Sequence, residues 1–375
     1  MDLKDDFVFR PLPPVKDTIH FPFPILNPLG PLAVLGGEWG GKGFNMIWRP
    51  NHTPPGQDRF LELNLTLDSI AFNAISGAIP NRGLLQPDIN MFGLTYTQQI
   101  SDANVTAGLH IEPGIWAVVP ATSDPAEGRT VVRMASIPHG TTILAQGTAT
   151  TMAGPPAIPN INILPFLIGN PGATFNFPEQ NLANPTTFRS PPVQIAGITQ
   201  AMVDNPNSVL QAAIAGQTIL STTTLQISTK PAAPLVGGGT ANTAFLAGGA
   251  AGPNAVSAVV SATFWIETVQ GTPNFLQLQY SQLVLLNFNG LSWPHITVAT
   301  LKKNVPVIPP IWKVDPDIPL KILREIEPPV PPEVGAPIRT LEPAKPTRQF
   351  EEQFEAEERE RRKPPAHKPK PRTKP

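Results

Sequence analysis

Phe60–Ile70, FLELNLTLDSI, alternates apolar and polar side chains residue by residue. Leu61, Leu63, Leu65 and Leu67 share one face, and Glu62, Asn64, Thr66 and Asp68 the other. A period of two is the mark of a half-buried strand, because successive side chains leave a pleated chain on opposite sides. Read by polarity, the leucines face a core, and Glu62 and Asp68 face outward or partner a turn. Met91–Ile100, Gly108–Val119 and Thr130–Ile137 are further strand candidates, divided by Gly, Pro, Asn and Asp turn signals. Later in the chain Thr218–Thr229, Val256–Glu267, Phe275–Phe288 and Ile296–Leu301 read the same way, with Asn289–Gly290 as a type I′ hairpin turn. Many short strands in series suggest an antiparallel meander, and closing it into a barrel removes its exposed edges.

Composition agrees. The 375 residues include 48 prolines, a load that excludes a helical bundle, since an interior proline removes a helix hydrogen bond and clashes with the preceding turn. With no cysteine, disulfides, thiolate metal sites and cysteine nucleophiles are excluded. Only 15% of residues are charged and the formal net charge is -1, so no long-range field gathers phosphates, and nucleic acid is not an expected partner. No stretch reaches the ~18 apolar residues of a membrane span, and the acidic start, MDLKDDFVFR, lacks an apolar signal core. A cytoplasmic protein is the resulting expectation. The sequons at Asn51, Asn64 and Asn104 therefore carry little weight.

Around the barrel, residues 1–30 read as a Pro-rich arm anchored by Phe7, Phe9, Phe21 and Phe23. The barrel domain itself runs over 31–303. Residues 150–200 read as an insert packing its Ile and Leu side chains on the barrel and narrowing its mouth. One short helix follows, capped by Asp204 or Asn205, opening at Pro206 and ending on Gly216. Residues 231–255 are a Gly/Ala loop expected to move, and 304–375 a Pro-rich, charged tail, with 330–375 too polar to offset its ordering entropy.

Gly36–Gly43, GGEWGGKG, has the outline of a phosphate loop, but Gly43 stands where Ser or Thr is needed and no helix follows. Three other pieces carry a resemblance. Gly37, Trp39, Gly41 and Gly43 form G-x-W-x-G-x-G entering a strand. Leu94-Thr95-Tyr96-Thr97-Gln98 is followed by Leu109-His110-Ile111-Glu112-Pro113-Gly114-Ile115-Trp116. Pro294-His295 precedes an alternating strand ending at Lys303. In this order they resemble the nitrobindin family of heme-binding barrels, within the wider fatty-acid-binding-like barrels. The chain departs from the pattern at Ile115, where Phe is usual, and at Pro113.

The resemblance implies an all-β closed antiparallel barrel of about ten strands, with Trp39 and Trp116 in its interior. It implies heme b held by His295 as axial ligand to the iron, leaving a face open for nitric oxide, peroxynitrite or another small oxidant. Peroxynitrite isomerisation or a peroxidase-like reaction is the activity that would follow. The alternative is a barrel for a fatty acid or similar apolar molecule without catalysis, with Arg133 or Tyr280 meeting a carboxylate. A filled barrel serving as a scaffold is a third reading. His110 and His139 read as hydrogen-bonded structural residues, and no Ser-His-Asp or paired-carboxylate arrangement can be singled out. His20, His52 and His367 take no role.

Overall fold

The computed structural model describes residues 28–51, 59–84, 86–232, 237–242 and 255–303. Ten antiparallel strands form one closed barrel: β1 (Gly37–Pro50), β2 (Arg59–Ala74), β3 (Ile89–Asp102), β4 (Gly108–Val119), β5 (Thr130–Ile137), β6 (Thr141–Ala153), β7 (Ile219–Ser228), β8 (Val256–Val269), β9 (Phe275–Phe288) and β10 (Leu291–Lys303). Each pairs with its sequence neighbour, and β10 returns to β1 with Trp39 opposite Lys303 and Ile47 opposite His295. Closure leaves no edge strand in the ring. The β6 strand has no counterpart in the sequence reading, which ended the regular rhythm at residue 150.

Two glycines of the opening motif are explained by the β1–β10 seam. A Cβ at Gly41 would stand 2.0 Å from the Thr300 carbonyl oxygen, and one at Gly43 2.2 Å from that of Val298. Only a residue without a side chain lets the two strands close there. Trp39, wholly buried, sits beside them and donates its indole N–H to the Leu35 carbonyl at 2.7 Å. Trp116 packs edge-on against Phe264 of β8 at 5.1 Å, joining the two halves of the chain in one interior. At the β9–β10 turn Asn289 and Gly290 both have positive φ, 49° and 77°, as the type I′ turn requires. Pro294 lies inside β10, one residue past the end of the β1 ladder, so its missing N–H breaks no bond to that strand.

The stretch that identified the fold faces the opposite way from its polarity. On β2, Asn64, Thr66 and Asp68 are buried inside the barrel, while Leu61 and Leu63 point outward and are buried there too. Their partners are Phe44, Met46 and Trp48 of β1, Ile296 and Val298 of β10, and Trp265 of β8, all under the segment that links β6 to β7. That segment contributes Ile163, Val203 and Leu210. Its backbone docks on β2: Leu61 N–H donates to Phe188 O at 2.8 Å, Ser190 N–H to Leu61 O at 3.1 Å, and Leu63 N–H to Ser190 Oγ at 3.0 Å. Arg189 ties it internally through four carbonyl contacts, with Glu179, Asn181, Leu182 and Asn184. Phe166–Leu167 adds a short strand beside Leu291–Ser292, past the last β1–β10 pair at Ile47 and His295. The insert therefore covers the outer wall, and the expectation that it narrows the mouth does not hold.

The helix reading also needs adjustment. Among the described residues there are two short α-helices, α1 (Gln200–Asp204) and α2 (Ser208–Ile214). Thr199 caps the first through the Met202 N–H, and Asn207 rather than Asp204 or Asn205 precedes the second. Part of the Gly/Ala loop, Gly239–Asn242, forms a short strand paired with β6. Residues 233–236 and 243–254 of that loop, the N-terminal arm up to residue 27 and the tail from 304 lie outside the described residues. No helix among the described residues is long and apolar enough to cross a membrane.

Glu267 of β8 faces outward, as its polarity predicts, yet is fully buried beside Gln217 and Gln277. Burial pushes its pKa up to about 7, against a hydrogen bond from Gln277. The folded state then holds a proton that the unfolded chain has released, so stability falls as pH rises from the ordinary carboxylate range to about 7. Glu267→Gln is expected to remove that loss, gaining stability over wild type at pH 8 and little at pH 4. Urea midpoints at the two pH values check it, and an equal change at both would contradict the assignment.

Candidate functional site

Inside, the barrel is divided along its length. Toward the start of β1 it is filled by Trp39, Ile70, Phe72, Leu94, Trp116, Phe264, Leu278 and Leu301. A polar belt crosses the middle. Arg133 of β5, 1% exposed, meets Glu112 of β4, 0% exposed, so this charge pair lies out of water entirely. Arg133 Nε also donates to Tyr96 Oη at 2.8 Å and Nη1 to Gln282 Oε1 at 2.7 Å. Tyr96 donates to Glu112. Beside this group Tyr280 donates to Asp68 and accepts from Gln98 Nε2 at 2.9 Å.

These contacts correct two expectations. Glu112 and Asp68 face inward, not outward. Arg133 and Tyr280 are committed to Glu112 and Asp68, so neither is free to clamp a ligand carboxylate. Burial pulls the Glu112 pKa upward, but Arg133, His110 and Tyr96 outweigh it and hold the carboxyl at about 2. Asp68 has no such cation, and burial raises it to about 6 despite the hydrogen bond from Tyr280.

Beyond the belt lies a cavity of about 450 Å³. His110, His139 and His295 all line it, with Asn45, Gln98, Tyr280, Gln282 and Thr297 as further polar groups. Ile47, Ile100, Leu109, Ile137, Val260, Val284 and Leu286 supply the apolar wall. Strand parity puts His295 here: it shares an inward face with Thr297, Ala299 and Leu301, while Ile296 and Val298 face out. The other two histidines come from the start of β4 and the β5–β6 turn, and their rings stack at 5.3 Å. His110 Nε2 lies 3.1 Å from Glu112 Oε2, the hydrogen bond expected of a structural His, yet the same ring faces the cavity.

His295 Nε2 lies 2.9 Å from Asn45 Oδ1 and 3.3 Å from Thr297 Oγ1. Its other ring nitrogen, Nδ1, is hydrogen-bonded to none of the described residues, and the ring lines the cavity. Burial, with His110 and His139 nearby, lowers the His295 pKa to about 3. Burial and His110 lower that of His139, against a hydrogen bond to the Leu109 backbone. His295 is thus a neutral imidazole at any ordinary pH. No cluster of three His, Asp or Glu side chains among the described residues is arranged to hold a metal ion by itself.

Of the expected site residues, the structure brings His295 and His110 to one cavity and puts Glu112 just beneath it. Trp39, Gly41, Gly43 and Trp116 serve the barrel at its filled end. Asn45, Asn64 and His139 were missed as site residues. Their signal was present for Asn64, whose inward face is the polar half of the β2 alternation, once the leucines are known to be covered from outside. Arg49, the cation at the cavity wall, is ion-paired with Glu62 at 2.8 Å.

No protein-family model and no curated protein matches the chain. Among solved structures it is similar to that of Rv2717c from M. tuberculosis, with 16% sequence identity over 76% of this chain and 99% of that chain, at a TM-score of 0.33, a likeness from which nothing about a ligand follows.

Proposed function

We propose that this barrel binds a small molecule in the cavity around His295 and fixes it through the ring's lone pair. One observation carries the reading: His295 is a neutral imidazole in the cavity wall with one ring nitrogen left without a partner among the described residues. The cavity volume, about 450 Å³, falls within the ~300–1,000 Å³ typical of small-molecule sites. Its lining of aliphatic side chains with a few convergent polar groups is the usual composition of such sites.

The finer form of the proposal is that the molecule is heme and His295 its axial ligand. The donor chemistry fits, since ligation needs an unprotonated imidazole and His295 has lost its basicity. Ile47, Ile100, Val284 and Leu286 would hold the macrocycle. Bound heme would supply a ferric centre open to a small oxidant such as nitric oxide or peroxynitrite. The protein's own part is to hold the iron at one side chain and to keep bulk water from the apolar wall. The nitrogen already bound to Asn45 is Nε2, the less crowded one, so ligation through it requires that contact to open. The apolar-acid alternative lacks a clamp, because Arg133, Tyr280 and Arg49 are each paired within the protein.

A hemin titration of the full chain, followed at the Soret band, tests the finer form. His295→Ala is expected to lower affinity by about tenfold or more, the worth of roughly 1.4 kcal/mol. His110→Ala is expected to keep hemin binding. Equal binding by His295→Ala and wild type would end the axial-ligand assignment, and a wild type that takes up no hemin would end the heme reading.

A further inference from the structure

We propose that a buried chain of side chains, Asp102–Asn64–Asn45, sets the tautomer of His295, so that the cavity is offered Nδ1 as a lone pair and never as an N–H. This rests on the reading of the cavity as the binding site. It names the ligand class that the site selects: one bringing a hydrogen-bond donor or a Lewis-acidic metal to the ring, in preference to a bare acceptor such as a carboxylate.

The direction of the chain follows from its inner end. Asp102 is fully buried and receives four N–H groups: the backbone amides of Asn104 at 2.7 Å and Val105 at 2.9 Å on Oδ1, and Asn64 Nδ2 at 2.8 Å and Gln194 Nε2 at 3.0 Å on Oδ2. Two backbone amides can only donate, so this carboxyl is an acceptor, and its lone-pair sites are filled. Asn64 must therefore turn its NH₂ toward Asp102, which leaves its carbonyl oxygen facing β1. There it takes Asn45 Nδ2 at 3.0 Å. With its amide group so oriented, Asn45 presents Oδ1 to β10 and accepts from Thr297 Oγ1 at 2.9 Å and from His295 Nε2 at 2.9 Å. An imidazole that donates from Nε2 keeps its lone pair on Nδ1. Each link is fixed by the one before it, and none is exposed: Asn45 is 8% and Asn64 0% accessible. An amide turned the wrong way would leave two oxygens face to face in the barrel interior, an arrangement costly to bury.

A second contact of the same kind points the same way. Glu112 is held as a carboxylate by Arg133, and His110 Nε2 lies against it. A carboxylate only accepts, so His110 also donates from Nε2. Gln194, a residue of the segment packed on the outer wall, is one of the donors to Asp102, so the covering insert helps hold the far end of the chain.

The test needs no ligand, so it stands apart from the hemin titration. Long-range proton–nitrogen correlation spectra of the nitrogen-15-labelled full chain at neutral pH, with the His295 signals assigned by their loss in His295→Ala, report the protonation of each ring nitrogen. In wild type Nε2 is expected at the protonated position and Nδ1 at the unprotonated one. Asn64→Ala leaves Asn45 beside the ring but frees its amide to turn, and should pull both nitrogens toward intermediate, averaged positions. Thr297→Val removes a donor to Asn45 without touching the chain, and should leave the wild-type pattern in place. A wild type with Nδ1 protonated, or an Asn64→Ala spectrum like that of wild type in a folded protein, would overturn the proposal. If Asn64→Ala does not fold, Asn45→Ala is read by the same criterion. A correct tautomer with no hemin uptake would leave this inference standing and remove only the heme reading.

Discussion

Replacing Arg133 by Met is expected to destabilise the barrel by about 3–5 kcal/mol, because it strands the Glu112 charge in a dry interior. Both partners are out of water, with Arg133 1% and Glu112 0% exposed, and Arg133 also holds Tyr96 and Gln282. The loss measures an uncompensated charge more than the worth of the pair, since a well-packed neutral replacement of both partners is often tolerated. The double change Arg133→Met, Glu112→Gln should therefore recover part of the stability. The effect also has a pH signature. In wild type the Glu112 carboxyl is held at about 2, below its ordinary value, so the native state lacks a proton that the unfolded chain binds between those limits. That contribution is fully present above the ordinary carboxylate range and is lost as pH falls toward 2. Without Arg133, burial is opposed only by His110 and Tyr96 and shifts Glu112 toward the neutral acid. The gap between variant and wild type should narrow between pH 7 and pH 4. Urea unfolding at both values decides it: a loss below about 1 kcal/mol, as for an exposed pair, or a gap independent of pH, would show that Glu112 is not confined as described.

Trp48→Ala is expected to cost about 3–5 kcal/mol, the range for emptying a buried aromatic site. Trp48 is fully buried on the outer wall, where it meets Trp293 at 5.4 Å and Phe177 of the insert at 5.5 Å. Phe177 and Phe288 each stack on Trp293, so four rings join the insert to β1, β9 and β10. The prediction is specific about place. Hydrogen exchange in the variant should quicken at Leu61, Leu63 and Ser190, whose amides join insert and barrel, before it quickens in β3–β5. Uniform loss of protection, or none, would mean that the outer core is not a separate unit of packing. A melting midpoint for the full chain gives the size of the effect.

The strands and their order of pairing were legible because each rests on local signals. Phe275–Phe288, the Asn289–Gly290 turn and the residues after it make a hairpin whose register the turn conformation sets. The strand from Thr141 to Ala153 was not legible, since TTILAQGTATTMA carries few large apolar residues, and its ladder bonds to β5 and β7 come from sequence-distant or weakly patterned neighbours. The site was half legible. His295 followed from the resemblance at the β10 strand, but its inward direction did not follow from the pattern there, since Ile296, Val298 and Leu301 keep no single alternation and Ile296 and Val298 face out. His139 reads as an ordinary turn residue until closure of the barrel brings it to the same cavity.

By itself the sequence determined that the chain makes antiparallel strands, where the tightest turn falls, and that no cysteine or helical-bundle chemistry is available. Period-two alternation also determined that the two faces of β2 differ. Which face points inward was decided only by tertiary structure. Alternation records a contrast between faces and not their direction, and the usual rule sends leucines to the interior. Here residues 155–217 fold back over the outside of β1, β2 and β10 and give Leu61 and Leu63 a second apolar core. The barrel interior is then free to carry Asn64, Asp68, Glu112 and Arg133, because Asn64 and Glu112 find Asp102 and Arg133 on neighbouring strands and Asp68 finds Tyr280 of β9 across the closed ring.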